Sequence, residues 1–147
     1  MFATALSLLL AVTPAPPATT PAGTPATLAF AIEGVRNDKG QLVVAVYTSK
    51  EAWLKVPSAA KVMKVAPRVG NVFAVMEDLP TGACAVLVFH DENGNGKLDM
   101  GWTPMPGPTE GSGASNGATG RMGPPSWEDA KFECRPGEAV VKLKLAY

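Results

Sequence analysis

The chain has 147 residues, with 13 basic side chains (Lys and Arg) balanced by 13 acidic ones (Asp and Glu). This length fits one globular domain, and the balanced charge excludes the basic surface by which proteins bind nucleic acid or anionic lipid. After the N terminus, no segment approaches the roughly eighteen apolar residues of a transmembrane helix. We therefore expect neither nucleic acid as a partner nor a transmembrane segment in the mature domain.

The N-terminal residues do not have the pattern of a folded core. An apolar run over residues 3–12 is followed by Pro, Ala and Thr up to Pro25, and the first charged side chain is Glu33. A short apolar segment followed by small residues is typical of a secretory signal peptide. We predict an exported protein, periplasmic or secreted, with a signal peptide and Pro/Ala/Thr linker over residues 1–25 and one domain over 26–147. The alternative is a disordered Ala/Pro-rich leader.

The domain is predicted to consist almost entirely of short β-strands. Apolar or β-branched runs separated by Gly, Pro, Asn and Asp turns are typical of antiparallel strands. The predicted strands cover residues 28–32, 42–47, 61–66, 71–77, 83–90, 131–134 and 139–145. This spacing indicates an all-β fold, an antiparallel β-sandwich of about seven strands. Residues 83–90 are apolar on both faces, so we expect a central strand covered on both sides.

Two short helical turns are predicted beside these strands. Ser49 is placed to cap a turn in which Trp53 and Leu54 pack inward. Ser126, with Asp129 three residues later, approximates a capping box.

A long segment rich in glycine and proline, residues 100–130, shows no hydrophobic period. A structureless loop of this length is uncommon in a compact domain unless it is functional or disordered. Trp102 and Trp127 bracket the segment. They would either form an aromatic binding surface or fix the loop to the sheet, which is the commoner role.

The two cysteines, Cys84 and Cys134, both lie in predicted strands and lack CxxC spacing. Export implies an oxidising compartment, so we predict one disulfide between them; the alternative is two buried free thiols. The bridge would bring both ends of the long loop to the edge of the sheet where residues 91–99 lie.

Residues 91–99 (DENGNGKLD) carry the pattern with the clearest chemistry. Calcium takes six to eight oxygen ligands, and alternate side chains of a tightly coiled loop point to a common centre. The predicted ligands are the side chains of Asp91, Asn93, Asn95 and Asp99 and the main-chain carbonyl of Lys97, with Gly96 at the sharp turn.

This loop differs from an EF-hand, because Trp102 stands where the bidentate Glu is expected and a strand leads into the loop. Glu110 or Asp129, brought back by the long loop, would supply the missing ligand. Two formal charges predict an affinity on the order of 10⁻⁴ to 10⁻³ M. The alternative is that the two Asn-Gly pairs serve only as tight turns.

His90 is the only histidine, whereas a catalytic zinc usually recruits several His or Cys ligands. We expect a strand-end residue that is hydrogen-bonded to a loop. The alternative is a metal-assisted hydrolase that uses His90, Asp91 and Glu110.

The run LPTG at residues 79–82, the strand after it and HDENGNGKLD at residues 90–99 resemble a bacterial family of exported proteins known only as a domain of unknown function. Downstream, EG at 110–111, SN at 115–116 and GPPSWEDA at 123–130 are similar to its pattern. The resemblance runs from about Leu28 to the C terminus. It implies a periplasmic or secreted sandwich of the transthyretin-like (prealbumin-like) type with no established activity.

The chain departs from this family pattern in two places. Cys84 stands where an aromatic residue is usual, and residues 117–122 are additional. The full prediction is a non-enzymatic domain of the cell envelope, in which Ca²⁺ orders the long loop into a surface for an unknown protein or envelope ligand. A purely structural module whose loop binds nothing is the remaining alternative.

Overall fold

The computed structural model describes residues 24–101, 107–120 and 123–147. The strands are β1 (Ala26–Val35), β2 (Gln41–Tyr47), β3 (Lys61–Val65), β4 (Gly70–Leu79), β5 (Gly82–Asp91), β6 (Met100–Gly101), β7 (Gly107–Pro108), β8 (Ser112–Ala114), β9 (Phe132–Cys134) and β10 (Gly137–Lys144). The helical elements are α1 (Trp127–Ala130) and two 3-10 turns, Val56–Ser58 and Ser115–Gly117.

The strands form two main sheets that enclose the core of the domain. Sheet A has the order β10-β1-β4, and sheet B has the order β3-β2-β5-β8, with β9 also paired to β5. Apolar side chains from both sheets meet in one cluster that includes Phe30, Val44, Val86 and Leu143. The predicted all-β sandwich is therefore confirmed.

One pairing departs from the antiparallel prediction: β1 and β10 run parallel, in register from Ala26 with Gly137 to Glu33 with Lys144. Nearly the whole domain lies between these two strands in sequence. Turn residues in a sequence predict only hairpins between neighbouring strands. No local pattern predicts the pairing of β1 with β10, because a long connection separates them.

The central strands of sheet B, β2 and β5, are buried on both faces, as predicted for the strand at residues 83–90. The inner face of the sheet packs against sheet A, and its outer face forms a second cluster that includes Tyr47 and Phe89. Trp53, Trp127 and Ala130 cover this outer face. The segments between strands therefore make a third layer on the sandwich.

Both predicted helical turns are present in this third layer. Ser49 Oγ accepts a hydrogen bond from the Ala52 N–H (3.3 Å), and Trp53 is buried. Ser126 Oγ accepts from the Asp129 N–H (3.2 Å) at the start of α1. The capping interactions inferred from the sequence are thus confirmed.

Trp127 fixes the long segment to sheet B. Its ring meets that of Trp53 edge to face, with centroids 6.0 Å apart, and Trp53 Nε1 donates to the Pro125 carbonyl (2.8 Å). Trp127 is buried, so the commoner of its two predicted roles is the one observed. Trp102, the other candidate for an aromatic surface, lies outside the described residues.

The long segment is not the structureless loop that its composition suggested. The described parts of residues 100–130 contain β6, β7, β8, a 3-10 turn and α1. At Gly113 an added Cβ would lie 2.2 Å from the Lys144 carbonyl oxygen, and at Gly111 it would lie 2.4 Å from the Tyr147 ring. Here glycine permits close packing of backbone on neighbouring residues, so a glycine-rich composition does not indicate disorder.

The predicted signal peptide and most of the linker, residues 1–23, also lie outside the described residues, and the division at residue 25 stays a prediction. Within the described residues, no helix has the length and apolar character needed to cross a membrane.

Candidate metal-binding loop

The loop at residues 92–99 leaves the end of β5 and lies against the turn between β1 and β2. Gly40 in that turn has φ +65°, and a Cβ there would lie 2.0 Å from the Asp91 carbonyl oxygen. Only glycine fits such a contact. The turn and the loop root are therefore packed backbone to backbone.

Asp91 organises the loop from inside. Its side chain is fully buried; Oδ1 accepts from the Asn95 N–H (3.0 Å), and Oδ2 accepts from the Gly96 N–H (2.8 Å). Gln41, its partner across β2 and β5, donates from Nε2 to Oδ2 (2.6 Å). A buried carboxylate is tolerated where several donors satisfy it in this way.

The side chains of Asn93, Asn95 and Asp99 converge on one point at the surface of the loop. The Nδ2 groups of both asparagines donate to the Asp99 carboxylate, from Asn95 at 2.9 Å to Oδ1 and 3.0 Å to Oδ2. Asn93 Oδ1 accepts from the Asn95 N–H (3.1 Å), and Asn95 Oδ1 accepts from the Lys97 N–H (2.9 Å). Four of the predicted ligand side chains, counting Asp91, thus belong to one compact hydrogen-bonded loop.

The glycines after these asparagines have the left-handed backbone of tight turns, with φ +72° at Gly94 and +76° at Gly96. Asparagine side chains that bond the backbone two residues later are a common way to form such turns. The Asn-Gly pairs therefore form tight turns, and these turns are compatible with a cation at the converging side chains.

Glu110 returns to the loop, as predicted, and closes it. The His90 N–H donates to the Gly111 carbonyl (2.7 Å), which places Glu110 beside the end of β5. Glu110 is 5% exposed; Oε1 accepts from the Glu92 N–H (3.0 Å), and Oε2 accepts from the Asp99 N–H (3.2 Å). One carboxylate therefore holds both ends of the loop.

Asp129, the other candidate for the missing ligand, lies at α1. Its Oδ2 is 2.7 Å from Ser126 Oγ, and its N–H donates to the same hydroxyl. It helps to cap α1, so of the two candidates the structure brings only Glu110 to the loop.

His90 is a buried strand-end residue that is hydrogen-bonded to a loop, as predicted. Nε2 lies 2.8 Å from the Lys39 carbonyl oxygen, and Nδ1 lies 2.8 Å from the Tyr147 hydroxyl. Since a carbonyl only accepts, Nε2 carries the proton and Nδ1 accepts from Tyr147 in the neutral ring. Both ring nitrogens are therefore engaged in binding the β1–β2 turn and the C terminus.

Glu92 was not among the predicted site residues, although it faces the same turn. Arg36 lies against it, with Nε 2.7 Å from Oε1, and Asn37 Nδ2 donates to Oε2 (3.3 Å). Desolvation raises the pKa of Glu92, but hydrogen bonds from Asn37 and Arg36 and the charge of Arg36 outweigh it, so the pKa lies below its ordinary value. Arg36 also stacks 4.2 Å above the Tyr147 ring. A single Glu directly after a strand carries no sequence signal for this role.

Ser115 and Asn116 bind the end of α1 to sheet B. Ser115 Oγ accepts from the Val86 N–H (2.9 Å) and donates to the Ala130 carbonyl (2.6 Å). Asn116 Nδ2 donates to the Lys131 carbonyl (2.9 Å). This buried serine is a structural connector and has no free hydroxyl for nucleophilic chemistry.

The cysteines are neighbours on β5 and β9, as the predicted disulfide requires, but both are free thiols in the structure. Cys84 pairs with Phe132 and Cys134 pairs with Gly82, so the two lie on a diagonal. Such neighbours are about 7–8 Å apart, whereas disulfides join Cα atoms separated by up to about 6.8 Å. Burial, followed by the proximity of Cys134, raises the pKa of the Cys84 thiol. The bridge therefore stays a prediction.

In the described part of the chain, no group of three or more His, Cys, Asp or Glu side chains is arranged to hold a metal. Any cation at the loop would therefore depend on amide and main-chain oxygens as well as on carboxylates. Such hard oxygen ligands suit Ca²⁺ and do not suit zinc.

Neither a curated protein nor a solved structure matches the chain. Residues 30–142 match the model of a family described as "Uncharacterized protein conserved in bacteria" (DUF2141). The match covers well over half of the sequence and agrees with the expected domain of unknown function. The chain therefore belongs to this family of uncharacterized bacterial proteins.

Proposed function

We propose that this protein is an exported, non-enzymatic scaffold domain whose loop at residues 91–99 binds one calcium ion. The observation that carries the proposal is the convergence of Asn93, Asn95 and Asp99 on one point. Export and the transthyretin-like subtype rest on the N-terminal apolar run and on the family resemblance, and they are part of the same proposal.

The loop retains oxygen lone pairs for a cation. Each carboxamide oxygen of Asn93 and Asn95 accepts one backbone N–H and has a second lone pair. A Ca²⁺ ion between these oxygens and Asp99 would replace the amide N–H groups that now face the Asp99 carboxylate, with the Lys97 carbonyl and water completing the six to eight ligands.

Glu110 has a different part in this proposal from the one predicted. Both of its oxygens accept backbone N–H groups, from Glu92 and Asp99. It therefore holds the two ends of the loop together and gives Asp99 a fixed position. Preorganisation of this kind lowers the conformational cost of binding the ion.

Asp99 connects the proposed ion to the long segment. The Thr109 N–H donates to the Asp99 carbonyl (2.9 Å), and the Asp99 N–H donates to Glu110. An ion at Asp99 would therefore restrain residues 107–114, which continue into β8 at the edge of sheet B. Its function would be to order this surface for an envelope ligand or protein partner.

The hydrolase alternative has no support from the geometry. His90, Asp91 and Glu110 are all buried, and each binds backbone or side-chain donors and acceptors of the fold. A catalytic acid or base must come within hydrogen-bond reach of a substrate proton, and these three groups face the interior.

Thermal unfolding with calcium tests the proposal. With a dissociation constant of about 10⁻³ M, about 10 mM Ca²⁺ should stabilise the fold by about 1.4 kcal/mol. For a domain of this size, that corresponds to a rise in Tm of about 5 °C over the value in chelator. Mg²⁺, which gives up its water reluctantly, should produce a much smaller rise.

The matched variants are Asp99→Asn and Asp38→Asn. Asp38 is exposed in the β1–β2 turn, and its variant removes the same charge away from the converging side chains, so it should keep the full calcium shift. Asp99→Asn should lose the shift. An unchanged Tm of the unmodified protein at saturating calcium would refute the metal proposal.

A further inference from the structure

The outer face of sheet A carries an exposed apolar patch. The side chains of its strands alternate between the core and the outside, and the exposed fractions are 77% for Phe73, 53% for Val75 and 68% for Val140. Ala29 lies between Val75 and Val140, and Ala31 lies beside Phe73. We call these five residues the outer patch. Contiguous apolar surface of this kind commonly marks an interaction site.

The two ends of the same face carry opposite charges. Beyond the outer patch, Glu77 and Glu138 lie at the end where β1 begins and Lys144 lies at the other end; Lys142 pairs with Ala31 of the patch, on the side of Lys144. Glu33 pairs with Lys144 across β1 and β10 and offsets one of these positive charges. The face is therefore acidic at one end, apolar in the middle and basic at the other end.

We propose that a second copy of this chain docks on the outer patch, related by a two-fold axis that lies between the two faces and perpendicular to the strands. This axis keeps β4 opposite β4 and β10 opposite β10 but reverses the direction along them. Phe73 then faces Val75 of the second copy, and Glu138 faces Lys144 of the second copy. A two-fold contact must be self-complementary, and this arrangement meets that requirement.

The remaining charged positions are also compatible with this axis. Glu77 faces Asn71, Glu33 faces Thr27 and Lys142 faces Val140 of the second copy, so none of these charged side chains meets a charge of its own sign. An axis along the strands would instead oppose Glu138 to Glu77 and Glu33 to its own copy. Like charges placed directly opposite are unfavourable, so the charge pattern selects the perpendicular axis.

Pairing through the edge of β4 is less favourable. The Lys61 ammonium group donates to the Glu77 carbonyl oxygen at that edge. A lysine on an edge strand is a usual protection against strand addition. The face of the sheet is the surface that we assign to the partner copy.

The size of the face predicts a weak dimer. Three strands about 4.8 Å apart and eight residues long, at about 3.3 Å per residue, give a face of roughly 400 Å². Stable complexes bury about 800 Å² per partner. We therefore expect a dissociation constant on the order of 10⁻⁵ to 10⁻⁴ M, so that the dimer is populated only at high protein concentration.

Sedimentation equilibrium of the purified protein from about 10 μM to 1 mM measures this dimer directly. Val75→Lys should leave a monomer throughout, whereas Val62→Lys, an exposed valine on β3 of the other sheet, should leave the dimer unchanged. Circular dichroism checks that both variants are folded.

A charge exchange tests the orientation. Glu138→Lys alone and Lys144→Glu alone should each weaken the dimer about tenfold, because each places like charges opposite one another twice. The double variant should recover the original dissociation constant. A monomer at every concentration, a dimer insensitive to Val75→Lys, or a double variant no better than the single ones would each overturn the proposal.

Discussion

Replacing Asp91 by alanine is expected to lower the free energy of unfolding by about 3 kcal/mol in calcium-free buffer, because hydrogen bonds to a buried charged group contribute about 1.5–3 kcal/mol each and some donors will be rehydrated. The lost carboxylate leaves Gln41 Nε2 and the Gly96 N–H without a partner, and the Asn95 N–H keeps only its bond to Asn93 Oδ1. Urea denaturation with a chelator present measures this change.

The control for this experiment is Asp99→Ala in the same buffer. Among the described residues, the Asp99 carboxylate accepts only from side-chain amides of exposed asparagines, so its loss should cost less than about 1 kcal/mol. The two aspartates of the motif would then have distinct roles, one inside the fold and one at the proposed ion. Equal destabilisation by the two substitutions would contradict this division.

The second large effect is expected at Trp127. Trp127→Ala should destabilise the domain by about 3–5 kcal/mol, because a large buried aromatic is replaced by a cavity and α1 loses its contact with Trp53. Residues 123–130 should also become sensitive to limited proteolysis.

Phe73→Ala provides a matched aromatic control, since Phe73 is 77% exposed on the opposite sheet. At concentrations where the protein is monomeric, it should change the stability by no more than about 0.5 kcal/mol. A Trp127→Ala variant that is as stable as this control would show that the third layer does not support the fold.

The sequence was sufficient to predict the sandwich and its doubly buried central strand, because alternation and β-branched composition are local signals. The helix caps at Ser49 and Ser126 could also be predicted from the sequence, since a cap depends on residues only three apart. The parallel pairing of β1 with β10 could not, because it joins segments separated by almost the whole domain. Pairing over such distances depends on the packing of everything between the strands.

At the candidate site, too, local sequence patterns did not predict the tertiary contacts. Spacing identified the residues of the loop, but it could not distinguish a carboxylate that faces a cation from one that binds backbone N–H groups. Asp91 and Glu110 were predicted as metal ligands or, with His90, as hydrolase residues, and both are buried acceptors that hold the loop together. The high glycine content was also ambiguous, because it suggested a loose loop. In the structure, Gly111 and Gly113 instead allow close packing against the C-terminal strand and Tyr147.

The most direct test of the central claim is a crystal structure of the protein grown in millimolar calcium. The proposal predicts one ion with oxygens of Asn93, Asn95 and Asp99 and the Lys97 carbonyl at about 2.3–2.6 Å. Both asparagine amides would then present oxygen to the ion. A loop in which their nitrogens still donate to Asp99, with no ion between them at that calcium concentration, would contradict it.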